Sequence, residues 1–387
     1  DVIDYPGEIM TGDGRQFLTD NEFMYDVIIV SASQPLTLLS NRFYTTQFMK
    51  LLAARLTPEG IAAVRLPGGI NRLHPLEAEL ANSVAMASEA SFKWNRILPV
   101  SGLMLIAGNG PKLSFNGGML AERMDSLGVS GVYVNSGTLP YDLSEFRMAA
   151  FDDQIKSAEA EENRDLHPEG FSIAHELWNF RMEDEKKTDL TIPAVGLFML
   201  LMVVAALLTG KPAASLGVAA AGFAGLSVEV ISLVAIQAAT GYSWVLVGAV
   251  TGIFMTGGVL GALWTDKGFL NDIGKIIALS GIAALFCAAA LHLYSIGLFS
   301  GIVLTICLFL GTFVCGVSSG GAFTSAIEVL GNKVTGKIGL LDFSEHGGSA
   351  AASLLMPLVL FPLLGAAAVL MIAAGWVAIW TAVLRYR

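Results

Sequence analysis

Four sets of residues have the types and spacing to do chemistry. Asp13 stands between two glycines in Gly12-Asp13-Gly14-Arg15. Its carboxylate could accept hydrogen bonds from a bound ligand, and the same residue pattern also serves a plain turn. Ser31 and Gln34 lie in the short loop Ser31–Pro35. A hydroxyl and an amide can orient a ligand, but both are poor bases near neutral pH and neither attracts a cation by charge. Glu229 sits inside the apolar run LSVEVISL, and Asp342, Glu345 and His346 precede another apolar run. A carboxylate at membrane depth can bind a cation, carry a proton or satisfy a neighbouring helix. In a helix, Asp342 shares a face with Glu345 or with His346, which gives either a cation-receiving cluster or a polar helix end.

The elements around the first two sets read as alternating strands and helices. Tyr5–Thr11 is expected as a strand ending at Gly12-Asp13-Gly14, and Tyr25–Ser31 as a second strand, apolar enough to be covered on both faces. A helix is expected from about Arg42 to Leu56, with Phe48, Leu51, Leu52 and Leu56 on one stripe. Thr57-Pro58-Glu59-Gly60 is expected as a turn and Ile61–Leu66 as the next strand, which completes a βαβ unit of a parallel sheet. Ligands of such sheets bind beyond the carboxyl ends of the strands. Asp13 and the Ser31–Pro35 loop would then face one crevice.

This stretch resembles the polyamine aminopropyltransferases, the spermidine synthases, and in particular their membrane-fused relatives. The matching residues are Gly12-Asp13-Gly14-Arg15, Tyr25–Pro35, Phe43–Phe48 and Leu56–Ile61, joined by Asn163–Pro168 with Trp178 further on. The resemblance covers about residues 5–180. It implies decarboxylated S-adenosylmethionine, or a related nucleoside, as cofactor, with Gly12, Asp13 and Gly14 at the nucleoside. It also implies a polyamine as second ligand. The family's acidic catalytic positions, from which an amine would lose its proton, correspond to Ser31 and Gln34 in this chain. The resemblance therefore implies a catalytically degenerate relative, a binding or assembly subunit of a membrane complex. An active aminopropyltransferase and a polyamine or cation transporter are the alternatives. The family's glycine-rich nucleoside loop does not appear before Asp13. The expectation is a partial Rossmann-like (methyltransferase-like) α/β domain whose open, apolar sheet edge is covered by another polypeptide.

Further along, helices are expected at Pro75–Ser91, Gly117–Leu127, Asp142–Glu162 and Phe171–Arg181. Strands are expected at Phe92–Pro99 and Leu103–Gly108, ending the sheet antiparallel, and at Val129–Val134. His167, in the Asn163–Pro168 turn, is the other titratable side chain with a candidate role as a proton carrier.

The two halves differ in charge. Residues 1–190 carry 16 Lys and Arg against 27 Asp and Glu, a net of −11, and residues 191–387 carry 7 against 6, a net of +1. The acidity excludes nucleic acid as an expected partner. It suits a polycation, although acidic surfaces ordinarily serve solubility. Cys287, Cys307 and Cys315 all lie in apolar segments, as packing residues do. The expected division is an α/β domain at 1–180, a linker at 181–190 and an all-α polytopic membrane domain at 191–387. Seven transmembrane helices are expected, at about 190–209, 214–239, 243–264, 275–294, 297–317, 347–364 and 366–384. Dense glycines such as Gly257, Gly261, Gly316 and Gly320 would let these helices approach closely in lipid. With seven spans, Lys211, Lys267, Lys275, Lys333, Lys337, Arg385 and Arg387 fall on one side, which the positive-inside rule makes cytoplasmic. The α/β domain is then expected on the other side of what the resemblance suggests is a bacterial inner membrane.

Overall fold

The apolar run that starts at Tyr25 becomes a strand because its alternate residues find a partner on one side. A computed structural model describes residues 7–182 except 101 and 133, 200–267 except 202, 242 and 243, 272–331, and 337–385. By contacts the chain divides into two units, Asp1–Arg164 with Ile173–Leu177, and Asp165–Ser172 with Trp178–Arg387.

The first unit holds a mixed four-stranded sheet, in the order β1 (Tyr25–Val30), β2 (Leu56–Leu66), β4 (Leu103–Gly108), β3 (Trp94–Leu98). β1 and β2 are parallel, Ile28 opposite Ala62 and Val30 opposite Val64, so the expected βαβ unit is present. β4 runs antiparallel to both β2 and β3, as expected for this end of the sheet. The expected turn at Thr57–Gly60 lies within β2 as an excursion. Tyr25 pairs with Leu56 and Val27 with Ile61, so the residues between Leu56 and Ile61 bulge out of the ladder.

Helices α1 (Gly14–Asp20), α2 (Leu38–Asn41), α3 (Thr46–Ala54) and α4 (Pro75–Glu89) come from this half of the unit. α3 follows its apolar stripe. Phe48, Met49 and Leu52 are fully buried in the core with Leu80, Val84, Leu103 and Leu105. Each such side chain contributes about 1.5–3 kcal/mol by leaving water. The unit continues with α5 (Gly117–Ser126), α6 (Leu139–Asp142) and α7 (Glu145–Ser157), and α8 (Glu169–Met182) follows in the chain.

Three expectations are corrected here. Gly7–Thr11 is not a strand; Ile9 and Met10 are 78% and 63% exposed. A short segment becomes a strand only with a ladder partner, and β1 pairs with β2 alone among the described residues. The helix expected from Arg42 to Leu56 is shorter, α3 at Thr46–Ala54, because Arg42 closes the preceding α2, capped by Thr37 through Ser40, and the chain turns before α3 begins. The described residues of Val129–Val134 form no strand; Gly131 N–H donates to Val134 O at 3.1 Å in a local turn instead.

The second unit is helical: α9 (Pro212–Thr240), α10 (Trp244–Asp266), α11 (Ile273–Ser295), α12 (Gly301–Leu330), α13 (Ile338–Leu355), a π turn (Met356–Leu360) and α14 (Phe361–Arg385). Five of these, α9 to α12 and α14, are long and apolar enough to cross a membrane, which points to an integral membrane protein. The expected span at 190–209 lies mostly outside the described residues. The expected span at 347–364 is divided. Pro357 supplies no N–H and the ladder loosens into the π turn, and Gly365 (φ +74°) then breaks the helical path inside α14. At that break Ala366 N–H donates to Leu166 O at 2.9 Å, and a Cβ on Gly365 would strike Leu166 O and the His167 ring.

Glycine sets the close packing. A Cβ on Gly257, Gly261, Gly316 or Gly320 would run into a backbone carbonyl of Phe313, Val317, Phe254 or Gly258, so α10 and α12 meet backbone to backbone. They run in the same direction, Gly261 beside Val317 and Gly321 beside Thr265. α9 runs against both, with Gly225 beside Phe254, Thr251 on Glu229, and Thr312 on Ser232. α11 runs against α12, since Cys315 reaches Ser280 O and Ser318 reaches Ile276 O. α14 runs against α11, Gly281 beside Val377 and Gly274 beside Leu384. Lys211, Lys267, Lys275 and Arg385 therefore share one end of the unit. Lys337 Nζ, donating to Thr209 O at 2.6 Å, lies there too.

Candidate functional site

Gly12-Asp13-Gly14-Arg15 is a helix start. Asp13 is the N-cap of α1, where its Oδ1 accepts the Gln16 N–H at 2.9 Å and its Oδ2 pairs with the Arg42 guanidinium. Both side chains are nearly buried. Arg15, also buried, donates to Arg42 O at 3.0 Å. The tip is thereby fastened to the end of α2. Gly12 precedes it in an exposed position, and Gly14 opens α1.

β1 ends at Val30, so Ser31–Pro35 lies beyond its carboxyl end, where the parallel-sheet rule places a ligand. Tyr44 holds this loop: its hydroxyl donates to Ala32 O at 3.2 Å and Ser33 O at 3.1 Å. Burial pushes the Tyr44 phenol up to about 12, with the Arg65 charge pulling weakly the other way, so it stays a donor. Ser31 and Gln34 are exposed.

A groove of about 530 Å³ runs along β1 to this loop. Gly14, Phe17 and Leu18 of α1 form one wall, Tyr25 and Val27–Ser33 the floor, and Phe43 and Phe48 the far side. It brings Gly14 and Ser31 together, and Gln34 is not among its lining residues. Of the residues expected to face one crevice, Gly14 and Ser31 line this groove, whereas Gly12 and Asp13 are not among its lining residues. Among the described residues, Tyr25 is the one ionisable side chain in the lining. A floor of aliphatic groups with hydroxyls at one end can hold an apolar or aromatic moiety and orient it, and among the described residues the lining has no carboxylate to take a proton from an ammonium group.

Beside the groove, β1 is an edge strand of the sheet among the described residues. Val27 and Ile29 on β1 are 55% and 69% exposed, with Ile9, Met10, Phe23 and Met24 exposed before them in the sequence. The segment Glu162–Asn163 supports α3 from below. Asn163 and Asn41 exchange amide hydrogen bonds at 3.0 and 3.1 Å, and Asn163 also donates to Tyr44 O at 3.0 Å. Thr46 Oγ1 donates to Glu162 at 2.5 Å, and Arg164 pairs with the same carboxylate. Partial burial pushes the Glu162 carboxyl up, and these two hydrogen bonds with the Arg164 charge outweigh it, leaving a net lowering.

In the helical unit, Glu229 is buried and Thr251 Oγ1 of α10 donates to it at 2.8 Å. Asp342, Glu345 and His346 do not converge. His346 Nδ1 lies 3.4 Å from Asp342 on an exposed face, whereas Glu345 turns inward and takes a hydrogen bond from Ser319 of α12. His167 lies 4.0 Å from Glu169. The cysteines are free thiols, Cys287 and Cys315 buried, as their apolar surroundings suggested. Arg42, Tyr44, Thr251 and Ser319 were not singled out in the sequence, since each acts through a partner distant along the chain.

No curated protein matches this sequence. The spermine/spermidine synthase domain model matches residues 4–71, the stretch that contains α1, β1, β2 and the groove between the Asp13 tip and the Ser31 loop, and it relates that stretch to the spermidine synthases.

Proposed function

We propose that the first unit is a spermidine synthase-like binding module that has given up aminopropyl transfer and docks another polypeptide, as the soluble part of a membrane complex. The observation that supports this reading is the lining of the β1 groove, which among the described residues holds hydroxyl, aliphatic and aromatic side chains and no carboxylate. Transfer to an amine needs a base for the ammonium proton and negative charge for the polyamine, and Ser31 and Gln34 supply neither. Asp13, the one acid of the tip, is already engaged by Arg42 and the α1 N-terminus. The exposed apolar residues of β1 favour a polypeptide as occupant of the edge, since an unpaired, flat, apolar strand is an association site. Positive-inside counting orients the protein with its cationic end in the cytoplasm, in a bacterial inner membrane, and the binding module outside. Purification of the native complex from membranes, with chemical crosslinking at a cysteine placed by Ile29→Cys, tests the docking. Crosslinks to a second polypeptide are expected, and a solitary, uncrosslinked monomer would count against it.

A second reading rests on Glu229. A carboxylate buried among membrane helices, with one hydroxyl as its hydrogen-bond partner among the described residues, suits a cation or polyamine carrier. Flux of radiolabelled putrescine into proteoliposomes, compared with Glu229→Gln, separates the readings: loss of flux in the variant supports transport, and equal flux removes that role.

A further inference from the structure

A second groove, of about 650 Å³, lies on the helical unit between α11 and α14. Ala278, Ile282 and Leu285 line one side; Ala374, Ala378 and Ala382 line the other, with Arg385 at the end. Its floor is deep because small residues are stacked there: Gly281 lies directly against Val377, so the two helix axes approach and their outer faces leave a trough. The exposed Ile282 and Leu285 face outward along it. Ala374 and Arg385 are eleven residues apart, about 16 Å along the helix axis. That is the depth of one leaflet's hydrocarbon, half of the roughly 30 Å core. Every lining side chain is apolar or small except Thr381 and Arg385. Arg385 is exposed and has no ion-pair partner among the described residues. Lys275, one turn before Ala278 on α11, is 72% exposed, with Asp272 3.9 Å from it. The trough therefore carries net positive charge at the end where Lys211, Lys267 and Lys337 also gather.

We propose that this trough is a binding site for an anionic phospholipid, one acyl chain lying between α11 and α14 and the phosphate on Arg385. Length and charge together select this occupant. An apolar helix from a partner would leave Arg385 facing hydrocarbon, and a zwitterionic lipid would bring a cation of its own beside Arg385, which offsets the attraction of its phosphate.

The test is native mass spectrometry of the whole protein in mild detergent, titrated with dioleoyl phosphatidylglycerol or dioleoyl phosphatidylcholine. Wild type is expected to retain phosphatidylglycerol about fivefold more strongly, the factor one cation near the headgroups contributes. Ala378→Trp, which fills the trough from its exposed side, is expected to abolish retention of both lipids at this site. Arg385→Ala is expected to equalise the two lipids, and Arg385→Lys to keep the preference. Equal retention of both lipids by wild type, or an unchanged preference in Arg385→Ala, would overturn the proposal. The second outcome is readable even if the tryptophan variant fails to fold, because Arg385 lies at an exposed helix end.

Discussion

Asp13 and Arg42 form an ion pair that ties the acid of the candidate tip to the close of α2. The pair is almost wholly out of water, so its two members depend on each other. Arg42→Met is expected to leave a buried carboxylate without its counter-charge and to lower the stability of the first unit by about 3–5 kcal/mol. The double variant Asp13→Asn with Arg42→Met should recover part of that loss. Thermal melting of the purified protein checks both, and a melt unchanged by Arg42→Met would contradict the assignment.

Asn163 anchors a segment far along the chain to the start of α3. Asn163→Ala removes its reciprocal amide bonds to Asn41 and strands the Tyr44 carbonyl in the core. A loss of about 2–3 kcal/mol is expected, larger than for a typical surface change. Asn163→Asp should be nearly as damaging, because it replaces two donated hydrogen bonds with a buried negative charge. Limited proteolysis of the purified protein, read as the rate of cleavage in the first unit, measures the effect.

Glu162 gives the first unit an acid-sensitive contact. Its carboxyl is held below the ordinary value of 4.5, so the folded state favours the ionised form. The associated stability is present above about pH 4.5 and is lost as pH falls through the lowered folded value. Glu162→Gln is expected to be less stable than wild type at pH 7 and to lose less on acidification. Parallel melting curves for the two proteins between pH 7 and 3.5 would contradict this.

Tyr44 works in the opposite direction. Its folded value is raised to about 12 from 10.0, so its contribution is complete below pH 10 and fades as pH rises through 12. Tyr44→Phe removes the donor to Ala32 and Ser33 and should cost about 1–2 kcal/mol. Phenolate absorbance checks the titration: one tyrosine fewer should ionise near pH 10 in wild type than its composition predicts.

Periodicity made much of this architecture readable. The β1–β2 unit, the antiparallel end of the sheet and five apolar helices follow from alternation, run length and turn residues. Two failures have one cause. Gly7–Thr11 and Val129–Val134 have strand composition, but a strand is a relation between two segments, and composition carries only one of them. The candidate site was half legible for the same reason. Asp13, Ser31 and Glu229 announce themselves by type and position, whereas Arg42 and Thr251, which pair with Asp13 and Glu229, and Tyr44, which holds the loop after Ser31 at Ala32 and Ser33, are defined by tertiary distance. Asp342, Glu345 and His346 are close in sequence, yet helix geometry sends Glu345 to one side and the other two to another.

Aminopropyl transfer by the protein purified from membranes tests the central claim most directly. With decarboxylated S-adenosylmethionine and putrescine supplied, and spermidine measured by mass spectrometry, no product above a protein-free control is expected. Spermidine formed in proportion to protein, and lost in Asp13→Ala, would show a working transferase and contradict the account.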